Sequence, residues 1–145
     1  MSRGLAVILT VAVGGLIALQ APINAELGRH TGKLPAALVS FFIGTLILAL
    51  IVSLSGDTGG LRSTFDVPWY YLVGGILGAA YVTVALVSVT TIGAGGVAAA
   101  TITGQLTTAV VIDRLGVFGL EQTSLSASRL LGVGLLLAGT FLIVR

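Results

Sequence analysis

Five long stretches of this chain carry no charged residue: Gly4 to Leu19, Leu34 to Leu54, Pro68 to Ile92, Val97 to Ile112 and Leu130 to Val144. A soluble domain cannot be built from such runs, because its surface would have almost nothing to offer water. Charged residues make up 8% of the 145 residues, against about 25% in ordinary soluble domains. The mean hydropathy is +1.13. Lipid is the solvent that such a chain requires. The runs are continuous rather than alternating, so they read as helices and not as barrel strands.

Charges and turn residues set the boundaries. The expected helices are residues 4–28, 34–54, 68–92, 97–112 and 130–144, within a single transmembrane domain, residues 1–145. They have roughly 15 to 25 residues, the range needed to cross a hydrocarbon core about 30 Å thick, with the last two at the short end. Arg3 before an apolar run resembles the start of a secretory leader. The remaining chain is equally apolar, so the segment is expected to stay as a first membrane helix. Residues 55–67 form a polar loop, and residues 113–129 an amphipathic one. Gly93-Ala94-Gly95-Gly96 is expected to be a tight turn between spans. Trp69-Tyr70-Tyr71 reads as an interfacial aromatic anchor.

Composition excludes several functions. There is no cysteine and one histidine, His30, so a thiolate or paired-histidine metal site is not available. Neither metal nor cofactor is expected. The net charge is only +2 and the basic residues are scattered, so no nucleic-acid partner is expected. No nucleophile–base pair, paired catalytic carboxylates or phosphate loop is present, which makes an enzyme the weakest reading.

With five spans, Arg3, Arg62, Arg114 and Arg129 fall on one side of the membrane and Arg29, Lys33 and Arg145 on the other. This near balance gives the positive-inside rule little to act on. One reading is a weakly set orientation with the N-terminus cytoplasmic. The other is dual topology, in which copies insert both ways and pair as an antiparallel homodimer. An odd number of spans makes such a pair an inverted repeat, 5+5 in ten helices, as in many secondary transporters.

Polar residues inside the spans mark where lipid is not the neighbour. Gln20 and Asn24 lie four apart on one helical face. Pro22 between them cannot donate to the Ala18 carbonyl and is expected to bend or open the helix. Tyr81 lies mid-span and its hydroxyl needs a partner when buried. Gln105 sits near the bilayer middle and is expected to face the protein interior, with Thr101 and Thr108 near its face. These groups can be interhelical glue or the lining of a substrate cavity. Thr83, Ser88 and Thr90 can bond their own backbone. Gly74 with Gly78, Gly75 with Ala79, Ser40 with Gly44, and Gly134 with Ala138 are small-residue pairs that read as helix packing, and Gly104 permits close approach beside Gln105. Glu26 and Asp113 are the carboxylates near the spans that could couple transport to an ion. For Glu26 a surface pair with Arg29 or His30 is the simpler reading, and for Asp113 a charged helix end.

Taken together, Q-A-P-I-N-A-E-L-G at 20–28, P-A-A-L-V-S-F-F-I-G at 35–44, P-W-Y-Y-L-V-G-G-I-L-G-A-A-Y-V at 68–82, G-Q-L at 104–106 and I-D-R-L-G at 112–116 resemble the YdcZ-type family of small bacterial inner-membrane proteins. That family belongs to the drug/metabolite transporter superfamily and was long catalogued as a domain of unknown function. The resemblance covers nearly the whole chain. It implies five transmembrane helices per chain and localisation in the bacterial inner membrane. It also implies relatives that are single dual-topology proteins, oppositely oriented pairs, or fused ten-span proteins. Gln20, Asn24, Tyr81, Gln105 and Asp113 match family-typical polar positions without an assigned role.

The expectation is a secondary transporter for a small molecule or metabolite. Its cavity would lie near the midplane at the dimer interface, lined by Gln20, Asn24, Tyr81, Gln105 and Thr101. A dual-topology channel and a non-transporting membrane assembly protein are the alternatives.

Overall fold

The computed structural model describes residues 2–118 and 120–145. These are helical, with no strand among the described residues. The helices are α1 (Arg3–Thr31), α2 (Lys33–Ser55), a short α3 (Gly59–Ser63), α4 (Val73–Leu115) and α5 (Ala127–Val144), with a 3₁₀ turn over Trp69–Leu72 leading into α4. Four helices are long and apolar enough to cross a membrane.

The ends of the helices follow local chemistry. The Ser2 hydroxyl accepts from the Leu5 N–H at 3.3 Å, and that of Ser126 from the Arg129 N–H at 3.3 Å. Each satisfies a donor that the first turn leaves free. Gly32 alone separates α1 from α2. With φ 93° it ends one helix and begins the next, a conformation that a side chain would strain. The gap expected between the first two helices, residues 29–33, is therefore this single residue, and α1 continues to Thr31.

Two further expectations are narrowed. α1 stays helical through Pro22, so the helix does not open there. The turn expected over Gly93–Gly96 is only one non-helical residue, Gly93, with φ 71° and ψ 169°. Gly93 therefore divides α4 into two helical halves, consistent with the expected separation of residues 68–92 from residues 97–112.

By contact the chain divides into two units, Met1–Thr90 and Thr91–Arg145, with the boundary inside α4 just before Gly93. In the first unit α1 packs on α2. Its buried residues are Ala21, Asn24, Ala36, Ala37, Val82, Ala85 and Leu86. Most are small, which lets helices approach closely where no hydrophobic drive exists between them. A Cβ built on Gly28 would meet Lys33 Cα at 3.6 Å, Ala36 Cβ at 3.7 Å and Leu86 Cδ2 at 3.8 Å. Gly28 is thus the point where α1, α2 and the first half of α4 converge. Gly78 rests against the Phe41 ring at 3.5 Å. Of the other glycines expected in packing, Gly44, Gly74, Gly75, Gly104 and Gly134 have nothing within 4 Å of a Cβ position. They are not helix contacts within the chain, because a small residue brings helices together only when a neighbour's bulk lies opposite it.

The second unit is held by hydroxyls. Thr103 Oγ1 lies 2.6 Å from Thr140 Oγ1, and Thr140 Oγ1 lies 3.1 Å from the Ala99 carbonyl. Thr103 Oγ1 also lies 3.4 Å from the Leu136 carbonyl, and either threonine can donate across the short contact. The pair ties the second half of α4 to α5. Thr103→Val is expected to lower stability by about 0.6–1.7 kcal/mol, the range for interhelical bonds in membranes. Thr140→Val added to it should cost far less than it does alone. Unfolding midpoints of both single variants and the double variant check this; simple additivity would remove the pairing.

Large apolar side chains such as Ile8, Leu16, Leu38, Leu48, Leu77, Leu135 and Leu142 are exposed. In water this would be an aggregation surface. In a bilayer it is the normal exterior.

Candidate functional site

The first unit contains a closed, narrow cleft between α1 and the first half of α4, with no room for a water molecule. Gln20, Ala21 and Asn24 line it from α1, and Tyr81, Val82 and Ala85 from α4. Helical spacing explains the grouping. Positions 20, 21, 24 and 28 share one face of α1, and 78, 81, 82 and 85 share one face of α4. Three of the polar residues singled out in the sequence, Gln20, Asn24 and Tyr81, are thus brought together.

Asn24 differs from the other two. It is 5% exposed, and its Nδ2 has no hydrogen-bond partner among the described residues. Gln20 and Tyr81 are only half-buried. A buried amide without a partner costs about 1–3 kcal/mol, so a native structure keeps one only where something recovers the cost. The cleft carries no charge on any lining residue. Gln20 also lines a second groove, of about 210 Å³, between α1 and α2, with Ser40, Phe41, Gly44, Thr45 and Leu48. Ser40 and Gly44, expected as a packing face, instead form part of this groove wall. Thr45 is already satisfied, donating to the Phe41 carbonyl at 2.9 Å.

Gln105 and Thr101 belong to the second unit. Gln105 is exposed and Thr101 half-buried. Neither lines the grooves found there. Gln105, expected to face the interior, lies two residues from Thr103 and so on the opposite face of the helix, which the described residues leave uncovered. Glu26 is paired on the exposed side of α1, 2.9 Å from Arg29 Nη1 and 3.7 Å from His30 Nε2. Asp113 accepts from Arg129 Nη1 at 3.2 Å, at the far end of α4. Neither carboxylate lines the cleft. Thr83 and Thr90 bond back to the Ala79 and Val87 carbonyls, as expected for hydroxyls in an apolar helix. No group of three or more metal-ligating side chains occurs among the described residues.

An apolar helical chain with a neutral amide and phenol cleft is compatible with several membrane functions. The comparison with family models narrows them. A model described as "Putative inner membrane exporter, YdcZ" matches residues 5–142. The chain belongs to this family. It is accordingly a multi-pass protein of the inner membrane, in a transporter family rather than a class of enzymes. No curated protein and no solved structure matches it. The YdcZ match spans α1 to α5, so both the Gln20–Asn24–Tyr81 cleft and the Thr103–Thr140 contact fall inside it.

Several structural residues of this YdcZ chain carry little signal in the sequence. Gly28 marks only the end of a span there, and Thr101 and Thr108 stand out through their spacing from Gln105 where Thr103 does not. A signal for Thr140 was present: it is the one polar side chain in 130–144, and a lone hydroxyl in a span usually has a partner.

Proposed function

We propose that this YdcZ-family chain exports a small, uncharged, hydrogen-bonding or amphipathic metabolite as a secondary transporter. The observation that carries this reading is the buried Asn24 amide: its Nδ2, beside Gln20 and Tyr81, lacks a partner among the described residues. A substrate acceptor group is the natural partner for that donor. The neutral lining disfavours a multiply charged ion.

The working unit in this reading is an antiparallel homodimer of dual topology. Each chain contributes five spans, with α4 long enough to supply two. The balanced arginines and lysines support the dual orientation. Gln105 supports the dimer: an amide near mid-span that is exposed on one chain needs cover from a partner in the bilayer. The assembled dimer would bring Gln105 and Thr101 to the substrate lining near the midplane. Glu26 and Asp113 remain the carboxylates available for coupling, although both hold ion pairs in the resting chain.

Proteoliposomes preloaded with neutral amphiphilic metabolites test this reading. Saturable counterflow is expected, with Gln20→Ala plus Gln105→Ala lowering it at least tenfold, roughly the loss of one hydrogen bond in a desolvated site. Flux that does not saturate would indicate a channel. Wild-type flux from the double variant would remove the proposed lining. Reporters fused at Arg145 should give signal on both sides of the membrane; signal on one side only would end the dual-topology part.

A further inference from the structure

A different site lies at the far end of α4. The helix ends at Leu115, and Gly116 turns the chain with φ 63° while its N–H donates to the Ile112 carbonyl at 2.9 Å. The chain then folds back on the helix end. Thr123 N–H donates to the Asp113 carbonyl at 2.8 Å, and Gln122 Nε2 to the Arg114 carbonyl at 2.9 Å. These bonds occupy carbonyls that a helix C-terminus leaves free. The Asp113–Arg129 pair fastens the first turn of α5 to the same place. The end of α4, the loop and the start of α5 are therefore held as one wall.

That wall encloses a groove of about 230 Å³ lined by Val110, Val111, Leu115, Leu125 and Leu130. Thr107 also lines it, but its hydroxyl is spent on the Thr103 carbonyl at 2.7 Å. Arg114 is the only charged residue of the lining. It makes no ion pair among the described residues, whereas its neighbour Arg129 is neutralised by Asp113. Phe118 and Leu120 stand exposed on the adjoining loop, apolar side chains where a span leaves the hydrocarbon. An apolar slot with one unpaired guanidinium at a span's end is complementary to an anionic amphiphile.

We propose that this groove seats an acidic glycerophospholipid from the surrounding bilayer, with an acyl chain against Val110, Leu125 and Leu130 and the phosphate on the Arg114 guanidinium. Guanidinium groups bind phosphate oxygens in bidentate fashion. The acyl chain gains little by leaving other lipid tails, so the groove fixes the position and Arg114 supplies the selectivity. One cation near the membrane surface favours an acidic lipid roughly fivefold.

Native mass spectrometry of the full chain with phosphatidylglycerol and phosphatidylcholine in competition tests this. The wild type should retain phosphatidylglycerol about fivefold more often. Arg114→Gln should abolish that preference, and Arg114→Lys should keep part of it. Arg62→Gln, in the polar loop of the first unit, should leave it unchanged. Leu130→Trp fills the slot without touching the cation and should reduce retention of both lipids, with helix content by circular dichroism unchanged. Equal retention by the wild type, or a preference that survives Arg114→Gln, overturns the site. Leu130→Trp that splits a dimer and leaves lipid retention unaltered would show that a second copy covers the groove, and would overturn it as well.

Discussion

Asn24→Leu is expected to make the protein more stable and less active at once. Leucine keeps the branched shape of asparagine, though it is larger, with methyl groups in place of the amide oxygen and nitrogen, and its neighbours Ala21, Val82 and Ala85 are apolar. Removing a buried donor without a partner should stabilise the fold by about 1–3 kcal/mol. Export should fall at least tenfold, because the donor that a substrate would use is gone. Unfolding midpoints and proteoliposome flux, measured on the same preparation, separate the two effects. A variant that loses stability along with flux would make Asn24 a structural residue bonded to a partner helix, and the substrate reading would lose its main support.

The second large effect concerns Gly28, and its sign should change with side-chain size. Alanine places its Cβ 3.6–3.8 Å from Lys33, Ala36 and Leu86, ordinary van der Waals contact. It also has a better helix propensity than glycine by about 1 kcal/mol. Gly28→Ala should therefore be neutral or slightly stabilising. Gly28→Leu must push those three neighbours away and should cost about 1–3 kcal/mol. Because Leu86 lies on the α4 face that also carries Val82 and Ala85, the cleft should widen and substrate selectivity should fall with it. Thermal unfolding of the two variants checks the change of sign. If both are equally destabilised, the helices are closer at this point than the distances indicate.

The sequence and the structure agree most where the chemistry is exceptional. A proline and two amides in an apolar run, or one tyrosine in mid-span, have few neighbours to be confused with, and Gln20, Asn24 and Tyr81 do share a cleft. Spans and their ends were legible for the same reason, since charges are rare and each one stops a run. What could not be read was which face of each helix packs. α2 is apolar on every side, so nothing in its pattern distinguishes Ala36 and Ala37, which are buried, from Leu38, which is exposed. Soluble helices announce the buried face by contrast with a polar one; here lipid and protein interior ask for the same residues. Gly93 illustrates another limit. Three glycines in four residues suggested a turn, but glycine permits a turn without requiring it, and one residue was enough to interrupt the helix.

The single-residue link at Gly32 also bears on how the protein reaches its membrane. A connection that short leaves no loop that could remain on one side while the next helix is still being made. α1 and α2 must enter the bilayer together, as a preassembled hairpin, carrying Arg29, His30 and Lys33 across at its tip. Orientation of the whole chain is then committed in one event by the translocation of that tip. With Glu26 paired to Arg29, Lys33 is left as the net charge of the tip. In the proposed dual-topology dimer, the two opposite orientations would be set during biosynthesis rather than in the finished structure.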